Sequence, residues 1–333
     1  MNLAAVNLLG GVLVSFVKRV LSIREIGILI PLILICVVTS IINPVFASVD
    51  NAINLMRSIS ITVIGAVGMT FVLIGGGLDL SVGSVLALGG MVTGYSLAVL
   101  ELPIPVAILF GLAAAATAGM VNGLVIAKLK IPSLIVTLGM MNIARGVVNV
   151  MSRGRPYSGF PPAFNAIAQR AVFGIPFSVY IAVLIIISGH IILKHSVFGR
   201  SVTAIGGNEE TARVSGINIP FYKVMCYVIM SALSGTAGIL IASRLSTSQA
   251  NAGMGWEMTV IASVVIGGTS MYGGAGTIIG TVIGVAIMET LTVSMTMLRI
   301  DPYWQRIAVG LIIVLAVGID TYRRKFMSAA KTA

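Results

Sequence analysis

Stretches of roughly twenty apolar residues, separated by short polar or glycine-rich connections, recur along the whole chain, and this recurrence limits the fold before any motif is considered. Such a segment is stable as a helix crossing a bilayer, because its amides bond within the helix and its side chains match the hydrocarbon. Only 9% of the 333 residues are charged and 57% are hydrophobic, whereas soluble domains carry about a quarter charged residues. The expectation is an all-α integral membrane protein with a single transmembrane domain.

Residues 3–17 are apolar but short, and Lys18, Arg19 and Arg24 follow them. A secretory signal carries its positive charge ahead of the apolar core, so residues 1–25 read as a cytoplasmic or interfacial segment, with a short uncleaved span as the alternative. Spans are expected at 26–42, 59–74, 85–100, 104–127, 131–151, 178–193, 221–241, 258–266, 276–298 and 304–319. That gives about ten transmembrane helices in a domain of residues 26–320, followed by a cytoplasmic tail at 321–333. Residues 48–57 are polar enough to lie outside, and 152–177 form a longer external connection with interfacial aromatics.

A formal charge of +11 arises from basic residues lying almost entirely between the apolar runs, where topology signals belong. With this threading every lysine falls on one side, together with Arg19, Arg24, Arg200, Arg213, Arg323 and Arg324. By the positive-inside rule that side is the cytoplasm, with both termini there. A nucleic-acid patch does not fit this distribution. Cys36 and Cys226 lie inside apolar runs and read as small buried hydrophobes.

Two places depart from plain spans. The run 258–266 would form about 15 Å of helix, against a hydrocarbon core of about 30 Å. Either its helix begins within 251–256, or the break at 267–276, with Gly267, Gly268, Gly273 and Gly274, lies at membrane depth. The glycines at 75–83 loosely echo that break, as in transporters built from internal repeats with broken helices. Within the first break, Asp79 and Ser81 precede an apolar run and suit the capping of a helix start; a gating element or a cytoplasmic contact is the sharper reading of Asp79. Asn142, Arg145 and Asn149 share one helix face. They either line a polar pathway or glue helices together with Arg145 reaching outward. Glu257 and Glu289 pose the same question.

The longest polar interruption is 198–217. Asn208 suits an N-cap, Glu209 and Glu210 suit the positive end of a helix dipole, and Gly216 suits a stop. These features describe a short ordered helix presented to water. No glycine-rich phosphate loop ending in Gly-Lys-Ser or Gly-Lys-Thr is present, so any ATP driving the chain is bound by another polypeptide. His190 and His195 have no sequence-adjacent nucleophile or paired carboxylate, and no catalytic set is visible.

Four spaced motifs carry a family likeness: Gly76-Gly-Leu-Asp-Leu-Ser-Val-Gly-Ser84; Ile131-Pro-Ser-Leu-Ile-Val-Thr-Leu138 with Arg145-Gly146; Gly199-Arg200 through Ala204, Gly206-Gly-Asn-Glu209 and Ser215-Gly-Ile-Asn218; and Ile261-Ala-Ser-Val-Val-Ile-Gly-Gly-Thr-Ser270 with Gly273-Gly274 and Gly276. Over residues 26–319 the chain resembles the permease subunits of bacterial ABC importers for ribose and related monosaccharides. The resemblance implies a type II-like permease without a catalytic site of its own. It also implies an ATPase partner that binds ATP and magnesium, a periplasmic sugar-binding protein, and a second permease protomer in the inner membrane. Coupling to the ATPase would then fall on Gly199, Arg200, Ala204, Gly206, Gly207, Asn208, Glu209, Ala212, Arg213, Ser215 and Gly216, within a cytoplasmic segment of residues 194–223. Thr211 departs from the alanine frequent in the family. Importers of autoinducer-2, nucleosides or branched-chain amino acids are the nearest alternatives, and a stand-alone secondary transporter or channel is the alternative of another class.

Overall fold

The computed structural model describes residues 24–332, with side chains over 29–318 and at 321 and 322; the expected interfacial segment at 3–17 lies outside the described residues. The apolar runs fold as helices α1 (Arg24–Ile42), α2 (Val49–Ile74), α3 (Val82–Ala98), α4 (Ile104–Leu129), α5 (Ser133–Ser152), α7 (Phe177–His195), α10 (Ile219–Leu245), α11 (Trp256–Ile266), α12 (Ile278–Met297) and α13 (Pro302–Thr332). The connections supply α6 (Pro162–Gln169), α8 (Val197–Gly207) and α9 (Glu209–Val214). Six of these, α2, α4, α5, α7, α10 and α12, are long and apolar enough to cross a membrane, and α1, α3, α11 and α13 contribute shorter apolar stretches. Lys128, Lys130, Lys194 and Lys223 mark one end of the bundle, called the lysine end below.

Residues 48–57, expected outside, begin a helix and not a loop. Ser48 caps α2 by accepting a hydrogen bond from the Asn51 amide (3.3 Å), and the helix runs unbroken through Arg57. Its polar first turns project beyond the apolar run, which is why composition alone started the span at 59. Within the tail expected at 321–333, α13 continues as helix to Thr332.

α2 is the axis of the bundle, with every residue from 60 to 74 buried. α10 packs against it, and α4 packs on α10 through small residues spaced by four: Gly111, Ala115, Gly119 and Gly123 are all buried. A Cβ added to Gly119 would stand 2.6 Å from Cβ of Ser231 on α10, and one added to Gly123 would stand 2.6 Å from Cα of Val224. In lipid, where apolar burial against hydrocarbon gains little, such backbone approach is what holds helices together. α5 and α7 are peripheral. Their exposed faces carry Ile135, Ile143 and Val150, and Leu184, Ile187 and Ile191, which suits contact with acyl chains.

Two long helices end in a backbone segment that doubles back into a shorter helix. α2 runs toward the lysine end, turns through 75–81, and α3 returns from there. α10 runs the opposite way and turns through 246–255, and α11 returns toward the lysine end. The second segment descends alongside α3: Ser248 Oγ donates to the Gly90 carbonyl (2.8 Å), and further down the Gly253 carbonyl abuts Gly83. α11 therefore starts deep in the bundle, with the Trp256 ring against Gly65 near the middle of α2. This resolves the shortness of the 258–266 run. The glycine break at 267–276 also joins two apolar helices, α11 and α12, and the segment 246–255 adds a second doubling-back, antiparallel to the one at 75–81.

At the opposite end, β1 (Tyr157–Ser158) pairs antiparallel with β4 (Thr247–Ser248). β2 (Ala171–Val172) pairs with β3 (Ile175–Pro176) in a hairpin.

Candidate functional site

The polar interruption folds as two helices rather than one. Ser196 caps α8 by accepting from the Gly199 amide (3.1 Å). Asn208 ends α8 and caps α9, its Oδ1 accepting from the Thr211 amide (2.9 Å). α9 stops at Gly216, whose φ is +80°. The Ile217 amide reaches back to the Ala212 carbonyl (3.1 Å) and the Gly216 amide to that of Arg213 (3.0 Å), a Schellman closure of the kind glycine permits. Glu209 pairs with Lys223 of α10 (2.6 Å) and with Arg213 (3.6 Å), and Glu210 pairs with Arg213 (2.8 Å). Beneath, Ile205, Ala212 and Ile219 form a small core with Ile217 and Tyr222, and Phe198 lies between Phe71 and Tyr222 at ring separations of 6.0 and 5.6 Å. The helix pair is thus bolted to the bundle.

Its residues divide by exposure. Arg200, Ala204, Gly207, Asn208, Glu209, Arg213, Ser215 and Gly216 are exposed. Gly199 and Ala212 are buried, and Gly206 is partly buried against the bundle, so these three support the surface and do not form it. A side chain at Gly199 would collide with the last carbonyls of α7.

Gly206 lies where three chain segments meet. Its Cα faces the Ile74 carbonyl at the end of α2 and the Gly274 amide, and the Gly274 amide donates to Ile74 O (2.8 Å). Gly273, with φ +86°, lies over Gly206 and Gly76: a Cβ there would be 2.9 Å from Gly206 Cα and 3.0 Å from Gly76 Cα. The breaks at 75–77 and 267–276 and the end of α8 therefore touch backbone to backbone. A cavity of about 660 Å³ opens beside them, bordered by Gly75, Lys130, Ser133, Glu209, Lys223 and Tyr227.

Asp79 is fully buried and does not reach the surface at the lysine end in this structure. Its Oδ1 accepts from the Ser81 amide (2.8 Å) and hydroxyl (2.6 Å) at the start of α3. Asn122 Nδ2 donates to the same hydroxyl (3.1 Å). Asp79 Oδ2 and Asn122 Oδ1 have no hydrogen-bond partner among the described residues. Asn122 was not singled out in the sequence, although an amide in an otherwise apolar run was the available signal.

Arg145 donates to the carbonyls of Ala250 (2.5 Å) and Ala252 (2.9 Å), fixing the descending segment to α5. Asn142 and Asn149 stay on the exposed face of α5, and the Asn142 amide donates to Leu138 of its own helix (2.9 Å). Glu289 accepts from Thr62 Oγ1 (2.7 Å), tying α12 to α2. The carboxylate of Glu257 lies beside Gly83, where a Cβ would come within 2.6 Å of Oε2.

A bundle of apolar helices with two doubled-back half-helices, and an ordered polar helix pair at one end, is the build of a multi-pass membrane transport subunit. The chain belongs to the family described as branched-chain amino acid transport system / permease component, whose model matches residues 51–317. It is 41% identical over 301 residues to the ribose import permease of Haemophilus influenzae, covering 88% of this chain and 92% of that one. It is 38% identical to the ribose import permease of Bacillus subtilis over 300 residues (89% and 92%), and 36% identical to the L-arabinose transport system permease of Escherichia coli K12 over 299 residues (90% and 91%). No solved structure matches the chain.

Proposed function

We propose that the chain is the permease subunit of an ATP-driven importer for a monosaccharide of the ribose type, in the inner membrane, with the lysine end and both termini in the cytoplasm. The observation that carries the coupling assignment is the junction at Gly206. Besides its side-chain packing on the bundle, the exposed helix pair α8–α9 meets the ends of both doubled-back units backbone to backbone at this point, so a push on the pair reaches α2 and the α11–α12 turn partly through contacts that no side-chain rotation can absorb. A separate ATPase would supply that push, binding ATP and magnesium itself, and a periplasmic binding protein would deliver the solute. A second protomer would complete the pathway, with Asn142 and Asn149 on the face of α5 that a partner could cover. Sugar as cargo is supported by relatives named for ribose and L-arabinose import.

The test is co-purification with a sugar-importer ATPase co-expressed from the same organism, followed by ATP hydrolysis with and without the binding protein in liposomes. A stable complex whose hydrolysis rises when the loaded binding protein is added supports the reading. Transport by the isolated chain driven by an ion gradient would replace it with a stand-alone carrier.

A further inference from the structure

A second cavity lies at the end away from the lysines, between α3, α10 and the descending segment, with a volume of about 290 Å³. Irregular backbone at membrane depth must be sheltered by protein or line a wet space, and 247–253 does both: one flank packs on Gly83 and Gly90, and the other opens on this cavity. Its polar groups are Thr247, Ser248, Gln249 and Asn251, opposite the apolar Leu86 and Met91. The side chains of Gln249 and Asn251 are exposed, and none of the residues bordering the cavity is charged.

That lining selects among solutes. An amino acid would bring an ammonium and a carboxylate into a space with no opposite charge to meet them, at a cost of several kcal/mol per ion. A neutral polyol has hydroxyls for the two amides, which each donate and accept, and C–H faces for Ile241 and Leu245, which also border the cavity and are not fully buried. The volume is near the lower bound for small-molecule sites, about 300 Å³, and suits one sugar ring. We infer that this cavity is a monosaccharide subsite inside each protomer, lying beside the pathway face of α5. Gln249 and Asn251 hydrogen-bond the sugar hydroxyls there, and Arg145 acts as the positioning residue that holds the segment bearing them. The inference rests on the monosaccharide reading above and adds where the sugar pauses.

The test uses the permease–ATPase complex with D-ribose, L-arabinose and galactose as probes. Asn251→Cys and Gln249→Cys are labelled with a water-soluble methanethiosulfonate, against the background set by Cys36 and Cys226 of the parent. At least one of the three sugars, at millimolar concentration, should slow labelling about threefold or more. In the intact importer, the double variant Gln249→Ala, Asn251→Ala should lower uptake at sugar concentrations well below saturation about tenfold, the loss of affinity expected when a sugar hydroxyl loses its partner, while assembly and basal ATP hydrolysis stay at the parental level. Labelling insensitive to all three sugars, or uptake by the double variant at the parental rate, overturns the subsite. If the intact parental importer takes up none of the three, the monosaccharide reading fails and takes the subsite with it.

Discussion

Replacing Gly206 by alanine tests the three-way junction most directly. The added methyl would fall on the Ile74 carbonyl and 2.7 Å from the Gly274 amide, and neither obstacle is a flexible side chain that could rotate away. Relief requires α8 to lift or the Gly274–Ile74 hydrogen bond (2.8 Å) to break. Overpacking of this kind costs about 1–3 kcal/mol, and leaving the Gly274 amide and Ile74 carbonyl unpaired costs about 1–3 kcal/mol more, so a loss of about 2–6 kcal/mol is expected. Gly207, the next residue, is the internal control. A Cβ there meets nothing within 4 Å, and removing a helical glycine gains about 0.5–1 kcal/mol. Thermal unfolding of the detergent-solubilised complex, followed by fluorescence-detected size exclusion, should show Gly206→Ala lowered by roughly 5–10 °C and Gly207→Ala unchanged or slightly raised. In liposomes, Gly206→Ala should also weaken the stimulation of ATP hydrolysis by the loaded binding protein. If the two variants melt together, within about 2 °C, the backbone junction is not the tight contact described.

Asp79→Ala removes an acceptor from the Ser81 amide and hydroxyl and should cost about 3 kcal/mol. Asp79→Asn keeps an acceptor for Ser81 and buries no charge, so its melting temperature should match or exceed the parent's. Arg145→Met frees the carbonyls of Ala250 and Ala252, and hydrogen exchange across 248–254 should rise at least about tenfold with the complex still assembled. Glu209→Lys breaks exposed ion pairs worth only about 0.5–1 kcal/mol, so stability should barely move while stimulated ATP hydrolysis falls about tenfold or more. Undiminished stimulation in that variant would sink the docking role of α9.

The ten helices were legible because apolar length is a local property, and so were the caps at Asn208 and Gly216, whose hydrogen bonds close within a few residues. What was not legible depends on distance along the chain. Gly206 resembles Gly207 in sequence, and only the approach of Ile74 and Gly274 separates a packing glycine from a surface one. Residues 247–255 have the composition of an external loop, and nothing local announces that they run down α3. The one sequence clue was the shortness of the 258–266 run, which showed that something irregular had to occupy the depth its helix could not span. Gly199 and Ala212 were grouped with the docking surface because the family resemblance assigns coupling to the whole segment, but the helical turn carries them inward.

The meeting of Gly76, Gly206 and Gly273 also bears on the genetics of the protein. A steric defect is ordinarily suppressed by shrinking the opposing side chain, but here each partner is already glycine or bare backbone, with nothing left to remove. Selections for revertants of a Gly206 or Gly273 substitution should therefore return the original codon, or changes in the partner ATPase, and no compensating mutation within the junction itself.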